Sequence, residues 1–256
     1  MYPQGATVEV YRQDLMLRFS RVGKPAYLQP IKRHGERGII QEYSGRSQKR
    51  LTLLLRNTDH LWKAFVTLTY PANFPLDGRR AKRDMHNFTA RLYRMGIKYT
   101  WVAEFQDRGA LHFHMVLTSE IPYQVLADMW DKTIGNNWQA RGDRGSASTS
   151  IRAFQGQKDL CYLWSYVSKQ SQKQLPDGFQ KMGRWWGAST RLLEKTVIKV
   201  LGRNYREVAR ITRLLRRWYK AHRKRLGIRS KWRWNGKGFT VWDGRLFYDK
   251  IDHGVR

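Results

Sequence analysis

The chain holds a single cysteine, Cys161, in 256 residues. One thiol excludes an internal disulfide framework and any cysteine-ligated zinc finger, and it fits a reducing compartment. Long apolar runs are also missing: no stretch of 18 or more apolar residues occurs, so no segment reads as a transmembrane helix. The start, MYPQGATVEVYRQD, lacks the basic-then-apolar order of a secretory signal. These absences predict a soluble, intracellular protein with no membrane partner. Acidic residues are scarce, 20 against 49 lysines and arginines, for a formal net charge of +29. That surplus exceeds what solubility requires and predicts a polyanionic partner, nucleic acid first among them. No G-x-x-x-x-G-K-[ST] phosphate loop is present, so any helicase is a separate protein.

What is present is enough to fold. With 41% apolar and 13% aromatic residues the chain can bury a sizeable core in one or two domains. Residues 1 to 60 are polar and basic, with little periodicity beyond a short helix at RLTLLLRN, and read as an extension. KAFVTLTY, 63 to 70, is β-branched and aromatic, closes at Pro71 and reads as a buried strand. DGRRAKRDMHNFTARLYRMG then sets Ala81, Met85, Phe88, Leu92 and Met95 at helical spacing and stops at Gly96, an amphipathic helix with a basic outer face.

Two strands follow, KYTWVAEF (98 to 105) and ALHFHMVLTS (110 to 119), joined by the polar loop QDRG as a hairpin. Alternation along a strand puts His112 and His114 on one face and Leu111, Phe113 and Met115 on the other. Glu104 joins the histidine face if the hairpin pairs it with His112, a register that a three-residue loop with a glycine bulge allows. Two imidazoles and a carboxylate on one side of a sheet suit Mg²⁺ or Mn²⁺, with water completing the shell. A lone His-x-His is more often a pair of half-exposed strand histidines, so the reading needs a second feature. DLCYLWSYVSKQSQKQLP, 159 to 176, supplies it: Tyr162, Tyr166, Lys169 and Lys173 share a helical stripe, opposite Leu160, Leu163, Trp164 and Val167.

The order FVTLTY, HFHMVL, YLWSYVSK resembles the three motifs of the HUH endonucleases, specifically the rolling-circle replication initiators of single-stranded DNA phages and plasmids. SGRSQKR, EFQDRGALHFH and KQLPDGFQKMGRWWGAS are similar to replication proteins of filamentous-type bacteriophages, and the likeness spans roughly residues 40 to 190. The resemblance implies an α+β fold, a central antiparallel sheet flanked by helices in the HUH nuclease (RRM-like) manner. It implies His112 and His114 as metal ligands and Glu104 as an acidic third. Tyr166 with Lys169 fits the tyrosine-x-x-lysine form of the third motif, and Tyr162 fits the extra tyrosine of two-tyrosine initiators. Related phage proteins often carry lysine just before the second tyrosine, where this chain has Ser165.

Such an enzyme nicks single-stranded or melted origin DNA. A phenol, with a pKa near 10, is a poor nucleophile at neutral pH, so a metal must polarise the phosphodiester. Tyr166, one helical turn from Lys169, is assigned the first attack, and Tyr162 accepts the regenerated junction at termination. The product is a 5′-phosphotyrosine and a free 3′ hydroxyl, and rejoining needs no ATP. The implied setting is the cytoplasm of a bacterial host, with a host helicase and replication machinery as partners.

On this reading residues 1–60 are a basic extension, 61–190 the endonuclease domain and 191–256 a basic accessory module. The module carries 20 lysines and arginines against 5 acids. Its segment RNYREVARITRLLRRWYKAHRKRLG puts Tyr205, Val208, Leu215, Trp218 and His222 on one helical face with Gly227 as a stop, and FTVWDGRLFY reads as a hairpin turning at Asp243-Gly244. Candidate DNA contacts are Lys173 on the tyrosine helix, Arg184 and Trp185 in GRWWG, and Arg216, Arg217, Arg223, Lys224 and Arg225; Trp232, Trp234 and Trp242 either stack bases or pack the module. Two other readings stay open: an HUH transposase or relaxase, and a non-catalytic DNA- or RNA-binding protein on an initiator-like fold.

Overall fold

A computed structural model of the chain describes residues 5–20, 43–135, 149–170, 176–179, 183–194, 196–200, 205–228 and 238–246. The chain divides into two compact units, Glu36–Leu192 and the paired segments Met1–Gly35 with Leu193–Arg256.

The Glu36–Leu192 unit is an α+β sandwich built on one antiparallel sheet. FVTLT and its flanking alanine form β3 (Ala64–Thr69), and the two runs around QDRG form β4 (Tyr99–Phe105) and β5 (Leu111–Leu117). Short edge strands β6 (Thr149–Ala153) and β7 (Trp186–Ala188) complete the order β6-β3-β5-β4-β7. The histidine strand is therefore central, with a neighbour on each side. Gly109 takes φ +82° and its N–H bonds the Gln106 carbonyl, while Gln106 N–H bonds the Ala110 carbonyl. That left-handed turn residue fixes the hairpin register, and Glu104 stands opposite His112 as the loop chemistry predicts.

Pleating divides the sheet chemically. One face carries Val66, Leu68, Ala103, Phe113 and Met115, all at 0% exposure, and packs against α2 (Gly78–Arg94) and α3 (Tyr123–Ile134). Phe113, Phe88 of α2 and Trp130 of α3 meet edge-on and are fully buried. Burial of each such side chain is worth about 1.5–3 kcal/mol. The expected stripe of α2 is buried from Ala81 to Leu92, whereas Met95 lies past the helix end and is 48% exposed. The other face carries Phe65, Thr67, Thr69, Glu104, His112 and His114, and faces α4 (Gln157–Gln170). RLTLLLRN forms the second half of α1 (Gly45–Asn57), whose N-terminus is capped by Ser44, and α1 packs on α4. Trp186 of β7 donates its indole N–H to Ser47 of α1 at 2.8 Å.

The other unit corrects the picture of a shapeless N-terminal extension. GATVEV and LMLRFS form a hairpin, β1 (Gly5–Val10) and β2 (Leu15–Ser20), flanked by β8 (Thr196–Val200) and β9 (Gly238–Val241) in the order β8-β1-β2-β9. Both ends of the chain thus contribute to one antiparallel sheet, so the first strands belong with the C-terminal module. The helix α5 (Tyr205–Arg225) packs on it and buries Thr212, Leu215 and Tyr219; Trp218 stacks on His222 at 4.8 Å, and Gly227 follows at φ +66°. The turn after β9 is present, with Asp243 at φ +58° and its N–H bonded to the Asp14 carboxylate. Arg245 and Leu246 then enter a helical turn where the expected hairpin needs a returning strand, and β9 pairs with β2 instead. Trp232 and Trp234 lie outside the described residues. No described helix is long and apolar enough to cross a membrane.

Candidate active site

His112 and His114 project from the same face of β5, and their rings meet edge to face with centroids 4.5 Å apart. Each imidazole is held from the neighbouring strand. Thr67 Oγ1 lies 3.2 Å from His114 Nδ1, and Thr69 Oγ1 lies 2.9 Å from His112 Nδ1. The register forces this, since Thr67 pairs with His114 and Thr69 with His112. Sequence reasoning passed over the threonines, although their alternation in FVTLTY signals that they share one face. With Nδ1 engaged, Nε2 is the ring nitrogen left for other chemistry, the arrangement in which an outer partner orients a metal-binding histidine.

Glu104, directly opposite His112, leans to its diagonal neighbour: Oε2 comes within 3.4 Å of His114 Nε2. Adjacent ligands of a small divalent cation, bonded at about 2.1 Å, stand roughly 3 Å apart, so this carboxylate and imidazole fit two corners of such a shell. His112 stands beside them. Among the described residues no three His, Cys, Asp or Glu side chains are gathered into a ready-made metal centre. The donor set nevertheless has the chemistry to hold Mg²⁺ or Mn²⁺, two imidazoles and one hard oxygen on a polar sheet face.

Burial pushes the pKa of His112 from the ordinary 6.5 down to about 4, and the neighbouring His114 and the Arg108 guanidinium add to this. Arg108, at the hairpin tip, is fixed by hydrogen bonds to the Pro71 and Tyr70 carbonyls and to Gln106. His112 is thus a neutral imidazole at physiological pH, the form a metal needs. Between pH 6.5 and about 4 the unfolded chain binds a proton at this position that the folded chain refuses, so the fold loses stability as pH falls through that window. NMR titration of the metal-free protein should find His112 changing charge near pH 4; a midpoint near the ordinary value would contradict the desolvated setting.

The tyrosine helix lies across this face. Leu160 and Leu163 are buried, and Tyr162 is 44% exposed. The Tyr162 ring stands 5.6 Å from that of His114 and 5.8 Å from that of Phe65, and Phe65 lies 5.9 Å from His114. Trp164, expected on the packed side, is 43% exposed. Tyr166 and Lys169 lie on the C-terminal half of α4, but their side chains, and all of Lys173, fall outside the described residues.

One further group fixes the helix. Arg152 of β6, opposite Phe65 in register, lies over the Phe65 ring at 4.4 Å and grips Asp159 with two hydrogen bonds of 2.6 and 2.9 Å. Asp159 is 1% exposed, sits in the first turn of α4 and also accepts the Gln155 N–H at 2.7 Å. Burial alone would raise its pKa, but the Arg152 hydrogen bonds, the Gln155 N–H and the charges of Arg152 and Lys158 leave the carboxyl below the usual range. The pair clamps the start of the tyrosine helix to the sheet edge. It joins positions distant in the chain's pairing pattern, which no local spacing reveals. Asp159→Asn should slow reaction at α4 by up to about a hundredfold, the scale of an ångström's misplacement, while DNA affinity holds. Single-turnover rates beside equilibrium binding would show this, and an unchanged rate would remove the clamp from the account.

The candidate DNA contacts divide. Trp185 is 4% exposed, its ring edge-on to Phe105 at 6.1 Å, so it is a core residue and its ring is closed to a base. Arg184 is exposed, and its backbone carbonyl accepts from Lys82 Nζ. Burial, with the charge of Arg184, brings the pKa of Lys82 down to about 7. Within the other unit, Arg216, Arg217, Lys224 and Arg225 lie exposed on α5, and Arg223 is half-buried over the Tyr219 ring.

A family model of replication-associated proteins, the ORF2 group, matches residues 63–171. The matched stretch holds β3, the histidine hairpin and α4, the elements that build this site, and the match supports a Rep-like replication protein. No curated protein matches the chain. No solved structure matches it either.

Proposed function

We propose that the protein is a rolling-circle replication initiator of the HUH endonuclease type, which nicks single-stranded origin DNA through a tyrosine of α4 and rejoins it at termination. The observation that carries this reading is the Tyr162 ring, 5.6 Å from His114, on the face where Glu104 Oε2 approaches His114 Nε2 to 3.4 Å. A phenol, two imidazoles and a carboxylate meet at one exposed edge of a strongly basic protein. His112, His114 and Glu104 would hold Mg²⁺ or Mn²⁺, which when bound would draw charge from the scissile phosphodiester.

The phenol oxygen attacks phosphorus, the bond to the 3′ oxygen breaks, and the phenol's proton leaves as the departing 3′ oxygen gains one. The products are a phosphotyrosine ester on the 5′ phosphate and a free 3′ hydroxyl that primes synthesis. One ester replaces another, so the reverse step needs no nucleotide. The geometry favours Tyr162, the phenol beside the histidines, for the first attack, and this reverses the order drawn from lysine spacing. Tyr166, a turn further along α4, takes the second transfer with Lys169 as its cationic neighbour. Arg216, Arg217, Arg223, Lys224 and Arg225 of α5, with Arg184 and Lys173, bind DNA phosphates, and strand separation falls to a host helicase in a bacterial cytoplasm.

Incubating the protein with labelled single-stranded origin oligonucleotide and Mn²⁺ should yield a detergent-resistant protein–DNA adduct and a shortened strand ending in a 3′ hydroxyl. A pure DNA- or RNA-binding protein gives neither, and that outcome would refute the enzyme.

A further inference from the structure

The cations of α2 have no part in the chemistry above. Arg79, Arg83 and Arg94 lie on its outer side, opposite the buried stripe of Ala81, Met85, Phe88 and Leu92. Where the last turns of α2 and α3 meet, a groove of about 240 Å³ is lined by Asn87, Ala90, Arg91, Arg94, Lys132 and Thr133. None of its lining residues is acidic. Among the described residues, Arg91, Arg94 and Lys132 make no ion pair, whereas Arg80 on the same helix is paired with Asp84. Asp131 of α3 is 3% exposed and points away from solvent.

Each cation gains something from the negative C-terminal end of its own helix, about 0.3–1 kcal/mol at an exposed site. That accounts for one cation per helix end, not for three converging on one groove, where mutual repulsion opposes the fold. A polyanion would relieve the repulsion. The groove offers guanidinium, ammonium, amide and hydroxyl donors and no aromatic ring, so it suits phosphates and not bases. Arg79 to Arg94 spans about 22 Å of helix at 1.5 Å per residue, long enough to follow a nucleic-acid backbone. This layer lies on the face of the sheet away from His112 and His114, with helix and sheet between, so the strand being cut cannot occupy both without wrapping the unit.

We infer that the α2–α3 face is a second nucleic-acid surface, which grips the phosphate backbone of duplex DNA while the histidine face handles the single strand. Duplex is the occupant because its bases are stacked away, leaving the phosphates that this groove can read. The inference rests on the proposed cleavage site only in taking the histidine face as the place of the cut strand.

The test is the full-length variant Arg91→Gln, Arg94→Gln, Lys132→Gln, titrated against a 30-base-pair duplex over a range of salt. Each lost phosphate contact lowers the slope of log affinity against log salt by about 0.9, so the slope should flatten by up to about 2.7. Adduct formation on a short single-stranded oligonucleotide should stay within about twofold of the unmodified protein. An unchanged duplex slope would overturn the inference and point to another acidic partner. An equal loss with the single-stranded oligonucleotide would also overturn it, by making the groove part of the cut strand's path. Thermal unfolding confirms that the triple variant is folded, and Arg94→Gln alone, at an exposed position, repeats the titration with a slope change of about 0.9 if it is not. If the unmodified protein forms no adduct, the proposed nicking fails while the duplex titration still reads this surface.

Discussion

Alanine at His112 or His114 should cut metal-dependent adduct formation by at least about a hundredfold, since even the loss of an outer-shell partner costs a metal site ten- to a hundredfold. The two substitutions differ in structural cost. His114 is 4% exposed and touches the Phe65 and Tyr162 rings, so its removal leaves a void and should destabilise the unit by about 1–3 kcal/mol. His112 is half-buried and its loss is milder, which makes it the cleaner probe. Glu104→Gln keeps the shape of the side chain but removes the charge, so the Mn²⁺ concentration needed for half-maximal activity should rise. Retained full activity in His112→Ala would remove the metal role from the hairpin.

The hairpin could be read from the sequence because its determinants are local. Gly109 demands a left-handed turn, strand alternation sorts the histidines from the apolar residues, and the loop length sets Glu104 against His112. The apolar stripes of α2 and α4 are legible for the same reason. What escaped depends on pairing between distant segments. The strands β1 and β2 are short and find their partners β8 and β9 at the far end of the chain, so the first residues look like an arm until those neighbours are known. Thr67, Thr69 and Arg152 enter the site only through the registers of β3 with β5 and β6. Trp185 shows the opposite failure: tryptophan between basic residues suggests stacking on bases, but the packing of Phe105 takes the ring into the core.

The tyrosines separate by the same geometry. Tyr162→Phe keeps the ring contacts with His114 and Phe65 and deletes only the nucleophilic oxygen, so folding and DNA affinity should persist. Removing the group that forms the covalent bond costs several orders of magnitude in rate, and the first adduct should vanish. Tyr166→Phe should form that adduct at a near-normal rate and fail in the second transfer, leaving linear products where the unmodified protein closes circles. Equal loss of the first adduct in both variants would show that the two phenols act as one unit.

The most direct test is to trap the adduct on a labelled single-stranded origin oligonucleotide, digest the protein and locate the DNA-bearing residue by mass spectrometry. The account predicts a 5′-phosphate linked to Tyr162 on the α4 peptide. DNA on a residue outside α4, or no covalent adduct in the presence of Mg²⁺ or Mn²⁺, would contradict it.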